Sequence, residues 1–231
     1  MVTKSVAVIV DWANLLYSIR SHRDADKRRF LPKPKAVIQL IRSCLREGEE
    51  VFRILFYDCP PFGETVKKPV SGKTWNLAET SVYKERKRFL DEVRLLDNVA
   101  LRLGQTRFRG WIMKGKVRER LTRGGRDLAR QPLADEDFQP HIEQKGVDIK
   151  MGLDIAWLAL QRFVEKVILF TTDTDLVPAM KFARIHGLRV VIIDPGGLHD
   201  LLKEHADEVR VLEKEEIKNL PDLSEFEERE L

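Results

Sequence analysis

Apolar residues fall along this chain in short β-branched runs that alternate with longer amphipathic stretches. Val6, Ala7, Val8, Ile9 and Val10 are unbroken, which predicts a strand buried on both faces of a parallel sheet and ending at Asp11. Asp11-Trp12-Ala13-Asn14 leads into Leu15, Leu16 and Ile19, whose spacing suits a short helix. A polar, basic loop is expected over 20–29, before Pro32 and Pro34 introduce a helix that closes near Gly48. A second strand over 51–57 ends at Asp58, and the Pro- and Gly-containing stretch 59–75 has no clear period, as in an ordered loop or insertion. An amphipathic helix over 80–96 and a strand over 99–109 follow. Residues 110–144 are rich in Arg, Lys and Gly, so they are expected as a mobile loop or a region ordered by a ligand.

From Val147 the pattern tightens. It predicts a helix to Val164, a strand over 167–172, a helix over 175–186 closed by Gly187, and a strand over 188–193. Asp194-Pro195-Gly196-Gly197 turns the chain into a last helix through Leu201, Leu202 and Ala206, and residues beyond Leu220 are expected as an acidic, solvated tail. On the helix after Val147, Ile149, Leu153, Ala156, Trp157, Leu160 and Phe163 form the main apolar face. Met151, Ile155 and Leu158 extend apolar character round the other side, so the helix is expected to be largely buried, with Trp157 in the core. Asp154 shares a narrow polar strip with Lys150 and Gln161; the plain alternative to a functional role is an ion pair with Lys150 worth about 0.3 kcal/mol.

Alternating strands and helices predict an α/β fold, a mostly parallel sheet with helices on both faces. The expected organisation is a single domain over 1–213 with a basic insertion around 84–144, followed by an acidic tail over 214–231. Asp11, Asp58, Asp173 and Asp194 each end a predicted strand, and ligands of open α/β sheets bind at that edge.

Composition narrows the classes. With 231 residues, 43% hydrophobic and 34% charged, the chain reads as a soluble globular protein. Its first apolar run is too short to span a bilayer, and a cytoplasmic location is expected without membrane association. Cys44 and Cys59 form no CxxC pair and lie near no histidine at ligand spacing, which argues against a zinc site or a disulfide scaffold. Net charge is only +4, yet basic residues crowd 84–130, among them Arg107, Arg109, Lys114, Lys116, Arg118, Arg120 and Arg123. That asymmetry points to a polyanionic partner, against the plainer reading of a solvated loop and a charged helix face.

Two carboxylates about 4 Å apart repel by roughly 4 kcal/mol at an effective dielectric near 20, so a cluster of them needs a proton or a cation. Hard oxygen donors suit Mg²⁺ or Mn²⁺, which serve phosphodiester hydrolysis. Asp148 and Asp175 could each instead cap a helix, worth about 1 kcal/mol. Asp173 is harder to dismiss because it ends a buried strand. Asn14 could cap, orient Asp11 or touch a phosphate, and Lys145 is a phosphate contact or a solvated loop residue. Pro195-Gly196-Gly197 reads as a phosphate-binding turn or a simple one. Trp111, among Arg109, Lys114 and Lys116, is the best-placed residue for stacking on a base.

VIVDWANL, then KGVDIKMGLDIAWLAL, then LFTTDTDLVPAMKFARIHGLRVVII resembles the NYN family of PIN-like nucleases, including the bacterial branch related to the LabA proteins. The resemblance implies a PIN-like, Rossmann-like three-layer sandwich. It implies catalytic and metal-binding roles for Asp11, Asp148, Asp154, Asp173 and Asp175, with Asn14 as the accompanying polar residue and Lys145 beside them. Many relatives have S-G-D-S-D where this chain has Thr171-Thr172-Asp173-Thr174-Asp175. The activity implied is a metal-dependent nuclease using Mg²⁺ or Mn²⁺, with RNA preferred to DNA as partner and room for a homo-oligomer. A regulatory RNA-binding module without turnover and a phosphatase with a D-x-D motif are the competing readings.

Overall fold

The computed structural model describes residues 4–22, 30–123 and 131–223. The expected loop over 23–29, Arg126 and Arg130 of the basic stretch, and the tail from 224 onward lie outside them. The first half contributes β1 (Lys4–Asp11), α1 (Trp12–Ser21), α2 (Pro34–Ser43), β2 (Glu49–Asp58), β3 (Thr65–Lys67), β4 (Thr74–Asn76), α3 (Ser81–Val93) and β5 (Val99–Leu103). The second contributes β6 (Gln105–Met113), α4 (Gly115–Thr122), β7 (Phe138–Lys145), α5 (Val147–Gln161), β8 (Lys166–Phe170), α6 (Val177–Ile185), β9 (Arg189–Asp194), α7 (Asp200–Glu204), β10 (Glu208–Val211) and α8 (Lys214–Lys218).

Six strands make a parallel sheet in the order β10-β9-β8-β1-β2-β5. Successive residues of a strand point to opposite faces, so one apolar run feeds two cores. Val6, Val8 and Val10 meet α1, α2, α3 and α8 on one face; Ala7 and Ile9 meet α5, α6 and α7 on the other. The result is the expected three-layer α/β sandwich. From β1 the chain adds strands in one direction through β2 to β5, then in the other through β8 to β10. The order therefore reverses between β1 and β8, and the carboxyl ends of those two strands flank the switch point.

Several expectations change. The stretch 59–75 holds β3 and most of β4, an antiparallel hairpin, and the described part of 110–144 holds the end of β6, all of α4 and nearly all of β7. In this arm β6 and β7 pair over nearly their full length. Its order comes from aromatic contacts a helix or strand period does not reveal: Trp75 stacks on Trp111 at 5.9 Å, and Phe62 on Phe108 at 5.9 Å. After Glu213 the chain is no solvated tail as far as it is described, because Ile217, Leu220 and Leu223 enter the core. β10, a sixth strand, was not legible in its short EVRV pattern.

The largest reversal concerns α5. Met151, Ile155, Leu158 and Ala159 face the sheet, whereas Ile149 is 71% exposed, Leu153 65% and Trp157 48%. A helix with apolar residues on both sides can bury only one side against a sheet, and here the smaller, sheet-complementary side wins.

Candidate active site

Asp11 ends β1 and caps α1: its Oδ1 accepts from the backbone N–H of Asn14 at 3.2 Å and its Oδ2 from Asn14 Nδ2 at 2.5 Å. Asn14 Oδ1 accepts in turn from Thr172 Oγ1 at 2.6 Å, just past β8. Thr171, buried beside it, donates to Asp11 Oδ2 at 3.4 Å and accepts from the Asp173 N–H at 3.1 Å. Thr171 and Thr172 thus tie the ends of β1 and β8 together across the switch point.

Asp173 caps the 3₁₀ turn Thr174–Leu176, accepting from the Asp175 N–H at 2.9 Å. The capping alternative belongs to Asp173, not to Asp175. Asp148 caps nothing: the residue before α5 is Gly146, with φ of 79°, and Asp148 stands exposed in the first turn. Gly146 takes the left-handed conformation that other residues avoid, so the chain can swing from β7 directly into α5. Three helical N-termini, with their partial positive charge, converge on these acids.

Burial is the main cause that pushes the Asp11 carboxyl above its ordinary pKa; the Asn14 hydrogen bonds pull it down, and the charges of Asp148 and Asp173 push it up again. Asp148 is raised by burial and then by Asp173 and Asp175. Asp11 thus feels Asp148 and Asp173, and Asp148 feels Asp173 and Asp175. Asp58 is raised by burial and by Asp11, against the opposing pull of Arg86. The Arg86 guanidinium spans both Asp58 oxygens at 3.0 and 2.8 Å, so Asp58 is a neutralised neighbour of the cluster.

Asp154 is set apart. Its Oδ2 accepts from Tyr57 Oη at 2.5 Å and faces Arg102 at 3.3 Å, while Lys150 turns to the Leu103 carbonyl. It follows Asp148 by six residues on α5, and its carboxylate, expected among the metal ligands, is engaged by a donor pair from β2 and β5. Tyr57, Arg86 and Arg102 escaped sequence reasoning because their partners lie far along the chain. Asp194 is likewise engaged, accepting from the N–H groups of Gly196 and Leu198 at 2.8 and 3.1 Å, which removes the phosphate-turn reading of Pro195-Gly196-Gly197.

The donor set fits a hard divalent cation: carboxylate oxygens only, mutually repelling, and with no cation bonded to Asp11, Asp148, Asp173 or Asp175 among the described residues. Among the described residues no group of three or more acids, histidines or cysteines is placed so as together to hold a metal ion; Mg²⁺ can bind through one or two carboxylates with waters filling its other positions.

The basic arm starts at the same edge, since Leu103 pairs with Asp58 at the end of β5. Arg109 Nε bonds Glu143 at 2.6 Å and Lys145 Nζ lies 3.5 Å from it. Arg107, Lys114, Lys116, Arg118 and Arg120 are exposed and have no ion-pair partner among the described residues, and Arg123 ends α4, also exposed. Trp111 gives its N–H to the Lys67 carbonyl at 2.9 Å and one ring face to Trp75. A cleft of about 360 Å³ beside this pair is lined by Lys68, Lys114 and Phe138.

Comparison with known proteins bears on the whole arrangement. A family model of the NYN domain matches residues 5–213. An uncharacterized protein of Methanocaldococcus jannaschii is 28% identical over 89 residues, which are 38% of this chain and 36% of that relative, so the match spans about a third of the relative's length. The crystal structure of a protein of unknown function from Vibrio parahaemolyticus superposes with a TM-score of 0.51 at 15% identity, covering 92% of this chain and 94% of the other. That likeness bears on the fold alone.

Proposed function

Because the chain belongs to the NYN domain family of PIN-like nucleases, we propose that it hydrolyses phosphodiester bonds of nucleic acid, RNA in preference to DNA, with Mg²⁺ or Mn²⁺. The observation that supports this reading is the gathering of acids near the switch point of the sheet, where Asp148 and Asp173 act on Asp11 and Asp173 and Asp175 act on Asp148. Asp154 acts as a positioning residue through Tyr57.

When bound, the ion would supply Lewis acidity and neutralise the charge that builds on the phosphate under attack. The chain's own residues do the rest. The Thr172–Asn14–Asp11 relay fixes the orientation of one carboxylate, so it needs no reorganisation during the reaction. Gly146 places Asp148 at the mouth, where water has access. Water attacks phosphorus in line, the bond to the 3′ oxygen breaks, and the products are a 5′-phosphate and a 3′-hydroxyl. Arg107, Lys114, Lys116, Arg118 and Arg120, with Arg109, Arg123 and Lys145 beside them, hold flanking phosphates, which makes binding strongly salt-dependent.

The test is cleavage of end-labelled single-stranded and structured RNA with and without Mn²⁺, beside Asp173→Asn. Metal-dependent cleavage that falls on the order of 10³-fold in the variant is expected. Equal cleavage by the variant would remove the site assignment. Salt-sensitive RNA binding without any turnover would leave a regulatory module of the same fold.

A further inference from the structure

The outward face of α5 is an apolar stripe that no other described residue covers. Ile149, Leu153, Trp157 and Leu160 follow one another at helical spacing. Phe163 carries the stripe past the end of the helix, with its ring 5.2 Å from that of Trp157 and 6.2 Å from that of Phe52 on β2. All six are 42% exposed or more. Their accessible surface comes to roughly 700 Å², above the patch size usual on monomers and close to the about 800 Å² per partner that a stable complex buries. The segments outside the described residues, MVT, RDADKRR, GGRDLAR and SEFEEREL, carry few apolar residues beside the six of the stripe.

We propose that the occupant is a second copy of this chain, docked through α5 against α5 in antiparallel orientation about a two-fold axis. The area is that of one isologous interface, and the i, i+4 row Ile149-Leu153-Trp157 is the kind of ridge that packs into the groove of an identical helix. Charge sets the direction. Asp148 begins α5, so a parallel pair would bring two repelling acid clusters side by side. An antiparallel pair separates them by about 20 Å along the helix axes at 1.5 Å per residue. The midpoint of the stripe is Ala156, which then faces its own copy.

Sedimentation velocity of the full chain, up to on the order of 100 µM, is expected to give twice the 26.8 kDa chain mass. Trp157→Glu and Leu153→Ser, both at exposed positions, are expected to give 26.8 kDa with unchanged circular dichroism and a melting temperature that no longer rises with protein concentration. Under mild oxidation Ala156→Cys is expected to cross-link to itself, and Ile149→Cys is not. A wild type that stays at 26.8 kDa would overturn the proposal, as would a dimer that survives both substitutions, cross-linking at Ile149→Cys in place of Ala156→Cys, or a monomer that sediments with phospholipid vesicles through Trp157.

Discussion

The two edges of the sheet handle charge in opposite ways. At the amino-terminal edge, Glu49 is held by Arg210 at 2.7 and 2.8 Å and by Lys166 at 2.5 Å, and Arg210 also bonds Glu208, which pairs with Arg46. Burial alone would raise the Glu49 pKa, but these donors bring it down to about 2. At the carboxyl-terminal edge Asp11 and Asp148 are raised, and the nearest guanidinium, Arg86, is spent on Asp58. The first edge ties β2, β8 and β10 together and is complete. The second is incomplete without something from outside, which is what separates a site from a strut.

Removing a strut should cost most. Arg210→Met strips Glu49 and Glu208 of their main partner in a buried setting and is expected to destabilise by about 3–5 kcal/mol, read from urea denaturation. A cost below about 1 kcal/mol would class the edge with ordinary surface pairs. At the other edge, a divalent ion should supply what is missing: Mn²⁺ at a hundredfold excess over its Kd is expected to stabilise by about 2.7 kcal/mol, seen as a rise in melting temperature. Asp173→Asn should abolish that rise and, in metal-free protein, melt slightly higher than wild type because one repelling charge is gone.

Acid should separate the edges by sign. Glu49 has a lowered folded pKa, so its contribution is complete above the unfolded value of about 4.3 and is lost as pH falls toward about 2. Asp11 and Asp148 have raised folded values, so their ionisation costs stability, and the cost disappears as pH falls through those values. Metal-free protein should therefore gain stability on mild acidification before losing it. Asp148→Asn should flatten the first limb and Glu49→Gln the second. The smallest effect is expected from Thr172→Val, which removes the hydroxyl on Asn14 and should cost about 1 kcal/mol, measured as a several-fold loss of cleavage with the fold intact.

The parallel sheet was legible because strands buried on both faces leave unbroken β-branched runs, as in Val6 to Val10 and Val190 to Ile193. The acids at strand ends were legible for the same reason, since Asp11 and Asp173 interrupt such runs. The partners of Asp154 were not legible, because Tyr57 and Arg102 lie 97 and 52 residues away along the chain. The arm was hidden by its composition: charged residues dominate the count, while a few aromatic pairs fix the shape. The faces of α5 could not be ranked from periodicity, because both are apolar and only the sheet decides between them.

Gly104 and Lys145 mark where the arm leaves the sheet and where it comes back, and they nearly touch: a β-carbon on Gly104 would stand 2.6 Å from the Lys145 carbonyl oxygen and 2.7 Å from Cys59 Sγ. An excursion that begins and ends at one point imposes almost nothing on what lies between. Because the entropy of closing a loop grows only slowly with its length, descendants of this chain can lengthen, shorten or exchange the arm while the sheet and its acids stay as they are. The pinch at Gly104 lets the arm vary independently of the sheet edge that carries the acids.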